Sequence, residues 1–209
     1  ADKVTKYLED YIRANYDLTD HRGNAAYKVW DENSRYLQDK DDLHELQTVT
    51  DLNAYLAALG KVSSKYDIIV SLDGDYNAQG DTAYASSLAN LGIDMDSYHQ
   101  GGTFVLHQGQ FEYYSGTDET FSYTGQFGNQ AIAVDRKAAA GSATEDADGG
   151  TEGTNINDGL YIGETNYASA VNGVNIVVYD PEINLVVDSI GVDVFEGLTP
   201  ERPDWLVEF

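Results

Sequence analysis

The run Tyr66-Asp67-Ile68-Ile69-Val70-Ser71-Leu72 constrains this chain more than any other stretch. It is apolar almost throughout and ends at the turn Asp73-Gly74-Asp75. A strand with one wet face alternates apolar and polar residues, so an unalternated run of this length reads as a strand buried on both faces. Before it, Leu52, Tyr55, Leu56 and Leu59 fall on one face of a helix that Thr50 can cap and Gly60 can stop. After it, a second helix is expected from Asp81 or Thr82 through Leu88 and Leu91, stopping at Gly92.

The chain then turns β-like. Thr103 to His107 and Phe111 to Tyr114 flank Gln108-Gly109-Gln110 in the pattern of a hairpin. Phe121 to Tyr123, Ala131 to Val134, Leu160 to Ile162, Val174 to Tyr179 and Leu185 to Asp188 read as further strands, the last two joined by the turn Asp180 to Asn184. Residues 138–158 are poor in large apolar side chains and dense in Gly, Ala, Thr, Asp and Glu, the composition of a long mobile acidic loop. Near the N-terminus, Tyr7, Leu8, Tyr11 and Ile12 share a helical face, and Tyr27, Val29, Tyr36 and Leu37 flank Asp31 to Ser34 as a hairpin would. These signals divide the chain into an N-terminal helix and hairpin extension over 1–45, a β-rich domain over 46–197, and an extended tail over 198–209 in which Trp205 and Phe209 are anchors.

Composition narrows the partners. With 36 acidic residues against 12 Lys plus Arg, the net charge of -24 repels a phosphate backbone and anionic lipid alike, so neither nucleic acid nor membrane insertion is expected. Absence of cysteine removes disulfides, thiol nucleophiles and thiolate metal sites, and fits an exported bacterial protein better than a small secreted animal domain. No run reaches the roughly 18 apolar residues that a membrane span needs. The opening residues Ala1 to Thr5 do not read as a signal peptide, so a removed targeting segment or excision from a longer chain is expected.

Several segments carry a resemblance. Asn172-Gly173-Val174-Asn175-Ile176-Val177-Val178-Tyr179-Asp180, continued by Leu185 to Ser189 and Val192 to Phe195, is similar to a strand pair of the interleukin-like epithelial-mesenchymal transition inducer (PANDER-like) family. The helix around Asp51 to Leu56, the strand Tyr66 to Leu72 and the segment ending Leu88-Ala89-Asn90-Leu91-Gly92 resemble that family's other half. The order of the halves is reversed here relative to the animal members, the relation expected of a circular permutation. The resemblance implies an α+β fold of compact antiparallel sheets, sandwich-like, with two or three packed helices. It also implies a non-catalytic recognition domain outside the cell, with a cell-surface glycan or polysaccharide, or neighbouring domains of a larger chain, as partners. Carried over by position, the ligand-binding candidates are Asp73, Asp75, Asn77, Asn172 and Asn175. The family's strand-leading Arg is Asn172 here, and its two charged pairs fall on Asp73-Gly74 and near Gly101-Gly102. The cationic sugar donors are thus replaced, which keeps open an alternative: a structural or protein-interaction domain without a sugar site.

Other chemistry finds little support. Asp73, Asp75, Asn77 and Asp81 alternate like the first ligands of a calcium loop, but Ala78 and Tyr84 occupy the positions of its glycine and its bidentate glutamate. A solvated turn is the preferred reading, calcium the one cation it would suit, and no cofactor is expected. His21, His44, His99 and His107 lack metal spacing, and no Gly-x-Ser-x-Gly elbow or phosphate loop occurs. The 16 tyrosines, Tyr113, Tyr114 and Tyr123 among them, offer rings with a polar tip suited to recognition as well as to core packing.

Overall fold

The computed structural model describes residues 7, 35–72, 83–94, 102–115, 121–136, 159–169 and 173–206. Helices α1 (Arg35–Thr48) and α2 (Leu52–Val62) lead through a 3-10 turn, Ser63–Lys65, into β1 (Asp67–Leu72). A 3-10 segment, Ala85–Leu91, precedes β2 (Thr103–His107), β3 (Gln110–Ser115), β4 (Phe121–Phe127) and β5 (Gln130–Arg136). There follow β6 (Gly159–Ile162), β7 (Thr165–Asn166), β8 (Gly173–Asp180) and β9 (Leu185–Asp193). Two antiparallel sheets result, one ordered β3-β2-β1-β8-β9 and one ordered β4-β5-β6-β7. The fold is α+β, as the sequence expects.

The two-sided burial of β1 has a direct cause. Ile68, Val70 and Leu72 join a core under the helices, whereas Ile69 joins a second core against the four-stranded sheet. Each successive side chain meets a different layer, so polar alternation would leave one layer unpacked. On the helix side, Leu52, Tyr55, Leu56, Leu59 and Val62 turn one face of α2 inward. On the other side, Phe127, Ile132, Val134, Leu160 and Ile162 meet Val105, Val177 and Tyr179.

Local details depart from the sequence reading in informative ways. Tyr36 and Leu37 lie in α1, not in a hairpin strand, and the helix runs unbroken through residue 45. Leu43 and Leu46 of α1 are buried in the helix-side core, so a boundary there would cut through packed structure. The cap of α2 is Asp51, not Thr50: its carboxylate accepts from Ala54 N at 3.1 Å. Gly60 does not stop α2. A Cβ there would lie 2.7 Å from Asn90 O, so glycine lets the 3-10 segment press against the helix. That segment is 3-10, not α, and it ends where expected, at Gly92 with φ of 76°. The tail from residue 198 is tied to the body: Leu52 N donates to Leu198 O at 2.8 Å, and Glu201 pairs with Gly191 through two backbone hydrogen bonds. The remainder of the expected N-terminal helix beyond Tyr7, the Tyr27 side of the hairpin and the acidic loop 138–158 lie outside the described residues.

Candidate functional site

Of the sequence-derived candidates, Asp73, Asp75, Asn77 and Asn172 lie outside the described residues, as does the calcium-like turn with Ala78 and Asp81. Asn175 is described, and it is buried at 1% exposure in the middle of β8. Both ends of its carboxamide are engaged by one residue: Ser169 N donates to Oδ1 at 2.8 Å, and Nδ2 donates to Ser169 O at 3.2 Å. Asn175 therefore holds the segment entering β8 in place and is not open to a ligand, which corrects the sequence reading. Among the described residues, no group of three or more His, Asp or Glu side chains is arranged to hold a metal ion.

A different place collects the polar and aromatic side chains. Where the β4–β5, β6–β7 and β8–β9 turns meet, a cleft of about 410 Å³ opens, lined by Tyr7, Tyr167, Tyr179 and Trp205 together with Gln130, Glu164, Thr165 and Asn184. Its floor includes Ile162, Leu185 and Val186. The rings come from separate parts of the chain. Tyr179 ends β8 and packs against Phe127 at 5.8 Å between centroids, while Tyr167 follows β7 and meets Trp205 at 5.2 Å with the ring planes inclined by 57°. Trp205 is 58% exposed, which leaves much of its ring for a visitor.

Asn184 is set by interlocked turns. It adopts a left-handed backbone with φ of 55°, a conformation asparagine tolerates better than most residues. Its Oδ1 accepts from Asn129 N at 2.8 Å and from Tyr179 Oη at 3.0 Å. Two donors on that oxygen fix the orientation of the amide and leave Nδ2 as a donor without a partner among the described residues. Gln130 donates through Nε2 to Asn129 Oδ1 at 3.1 Å, which leaves its Oε1 as an acceptor. The Glu164 carboxylate and the Trp205 indole N–H likewise have no hydrogen-bond partner among the described residues. The cleft thus presents two donors and two acceptors at the edge of an aromatic surface.

Burial raises the pKa of the Tyr7 phenol. Burial also raises that of Tyr167, reinforced by Tyr7 and opposed by a hydrogen bond with Thr165. Both phenols therefore remain neutral at physiological pH.

Trp205 is held by what precedes it. Arg202 Nε donates to Asp188 Oδ1 at 3.0 Å, its Nη2 donates to Leu46 O at 3.0 Å, and Tyr55 Oη donates to Asp188 Oδ2 at 2.9 Å. Asp188 is fully buried, so this is an ion pair inside the protein that ties the C-terminal segment to β9, α1 and α2. The sequence marks Trp205 as an anchor but not the convergence of Gln130, Glu164, Tyr167 and Asn184. Their one local signal is an asparagine at the end of the Asp180 to Asn184 turn, a position prone to the left-handed region. Compared with protein-family models, with curated proteins and with solved structures, the chain matches none.

Proposed function

We propose that this chain is a non-catalytic carbohydrate-recognition domain of the bacterial cell surface, and that the cleft between Tyr167, Trp205 and Asn184 is its sugar site. The observation that carries this reading is the pairing of exposed ring surface with unengaged amide, carboxylate and indole atoms in one concavity. Sugars present apolar C–H faces and a rim of hydroxyl groups, and a site for them needs both kinds of surface together. The volume of about 410 Å³ falls within the range of small-molecule pockets, roughly 300–1,000 Å³. Among the described residues, Glu164 is the one carboxylate lining the cleft, whereas glycoside hydrolysis usually employs two, which favours binding over cleavage. The resemblance of the strand pair Asn172 to Ser189 to PANDER-like domains points to the same class of ligand by another route.

The alternative, a protein-interaction domain, would rest on Phe111 and Phe195, exposed at 44% and 52%. Single exposed apolar residues are ordinary on protein surfaces, so the cleft is the stronger feature. Titration calorimetry of the chain against short oligosaccharides tests the proposal. Binding should be measurable at millimolar ligand or better and should weaken at least about ten-fold in Trp205→Ala, the loss of one stacking surface. No heat and no cleft-residue shift by NMR with any sugar at that concentration would overturn it.

A further inference from the structure

We propose that the glycan recognised carries a free amino group, protonated at neutral pH, which is taken by the aromatic rings and Glu164 of the cleft. This inference rests on the sugar-binding reading and adds to it the charge class of the sugar. Three observations carry it. Glu164 is the one charged side chain lining the cleft among the described residues, and it has neither an ion pair nor a hydrogen bond among them. An exposed carboxylate with no cation beside it can pair with a ligand that brings one. The same cleft is lined by Tyr7, Tyr167 and Trp205, whose ring faces carry negative quadrupole charge and attract ammonium groups, tryptophan most strongly, while Tyr179 is buried.

The second observation is the fate of the described cation that lies nearest to Trp205 in sequence. Arg202 lies three residues before Trp205, yet its guanidinium is spent on Asp188 and Leu46 O and does not line the cleft. Among the described residues, no positive side chain lines the cleft to partner an acidic sugar. The third is the field of the whole chain. A net charge of -24 draws cations toward any concavity and repels uronate or sialate groups. The unpaired carboxylate beside exposed rings is what singles out an amine.

The test is calorimetry of the full chain with three matched disaccharides: a glucosamine dimer with free amines, its fully N-acetylated counterpart, and a uronic acid dimer. The amine form should bind at least about ten-fold tighter than the N-acetylated one, a preference that Glu164→Gln should abolish. The uronate should not bind. Equal or tighter binding of the N-acetylated dimer would overturn the amine preference and leave the sugar site standing; silence from all three would overturn the amine preference, and the sugar site with it if no other sugar binds. Amine binding that survives both Glu164→Gln and Trp205→Ala would be general attraction to an acidic surface, and it too would overturn the proposal. Unchanged melting temperatures of the two variants would show that neither loss reflects unfolding.

Discussion

The two faces of the five-stranded sheet are built to different standards. Toward the helices, Ile68, Val70, Phe104, Ile176, Val178 and Ile190 meet an apolar surface from α1, α2 and the 3-10 segment, interrupted by the buried Asp188 ion pair. Toward the four-stranded sheet, apolar packing is confined to one end by Ile69, Val105, Val177 and Tyr179. Ser71, Thr103, Asn175 and Ser189 alternate with them on the same strands and are buried too. Ser71 and Thr103 satisfy each other at 3.2 Å, and His107 Nδ1 lies 2.8 Å from the buried Asp67 carboxylate. One face supplies stability through apolar burial; the other spends part of its area on polar contacts that fix turns, and the cleft lies at the turn end of that second face. The difference teaches that the proposed recognition surface is an outgrowth of the less densely apolar half, held in shape by hydrogen bonds.

The link between the halves is the sharpest point at which to break this division. Asp188 projects to the helix side from β9 and gathers Tyr55, Arg202 and Ser189 N, while Arg202 carries the chain on to Trp205. Asp188→Ala leaves a guanidinium and a phenol short of their shared partner. The expected cost is about 3–5 kcal/mol in chemical denaturation, because a buried pair is broken on one side only. Sugar affinity should fall with it, since Trp205 is no longer anchored. A loss under about 1 kcal/mol would show that the C-terminal segment is held elsewhere.

Next in size is the interlock of turns beneath the cleft. Gly128 has φ of 52°, and a Cβ there would run into Asn184 Oδ1 and lie 3.2 Å from Pro181 O. Gly128→Ala combines a left-handed penalty with that collision and should cost about 1–3 kcal/mol. It should also weaken sugar binding more than Ile69→Val, which strikes the same face away from the turns. If stability falls and binding does not, Asn184 is not part of the site.

Tyr55 allows the helix side to be probed by pH. Its pKa stands well above the ordinary 10.0, chiefly because burial disfavours the phenolate, then because of the Asp188 charge and hydrogen bond, with Arg202 opposing. A raised folded pKa means stability that is complete below pH 10 and is lost as pH rises above it, since the unfolded chain releases the proton first. Tyr55→Phe should lower stability by about 1–2 kcal/mol near neutrality through loss of one hydrogen bond to a charged group. It should also make the alkaline decline shallower than in the parent. Tyr7 and Tyr167 titrate in both proteins, so the difference between the two curves isolates Tyr55. Parallel curves would mean that the buried phenol does not resist ionisation.

How far the sequence reveals this arrangement depends on how local the cause is. The β1 run, the α2 face and the hairpin at Gln108-Gly109 are written in neighbouring residues, and each forms where periodicity places it. Helix α1 is obscured because Arg35–Thr48 is mostly charged or polar, with Leu43 and Leu46 its buried residues among those described, so no apolar stripe announces it. Asn175 is a site candidate through the family resemblance of its strand; its carboxamide is engaged by the Ser169 backbone, a contact made only by the fold. The cleft is the least legible of all, for Gln130, Glu164, Asn184 and Trp205 come together through three turns and a tail with no shared pattern in sequence.

The smallest effect bears most directly on the contrast between the faces. Ile68 and Ile69 are adjacent in β1, both wholly buried, and point into opposite cores. Removing one methylene from each is the same chemical change, so any difference belongs to the surroundings. Ile→Val substitutions cost about 0.5–1.5 kcal/mol, and the cost rises where neighbours cannot close over the void. Ile68→Val, beneath two helices, should fall near the top of that range. Ile69→Val, between sheets joined by fewer apolar contacts and by turns that can shift, should fall near the bottom. The double variant should be close to additive, because the two side chains share no neighbours across the sheet. Equal costs measured by urea denaturation would show that the polar residues on the second face do not loosen its packing, and that the cleft rests on a core as rigid as the one beneath the helices.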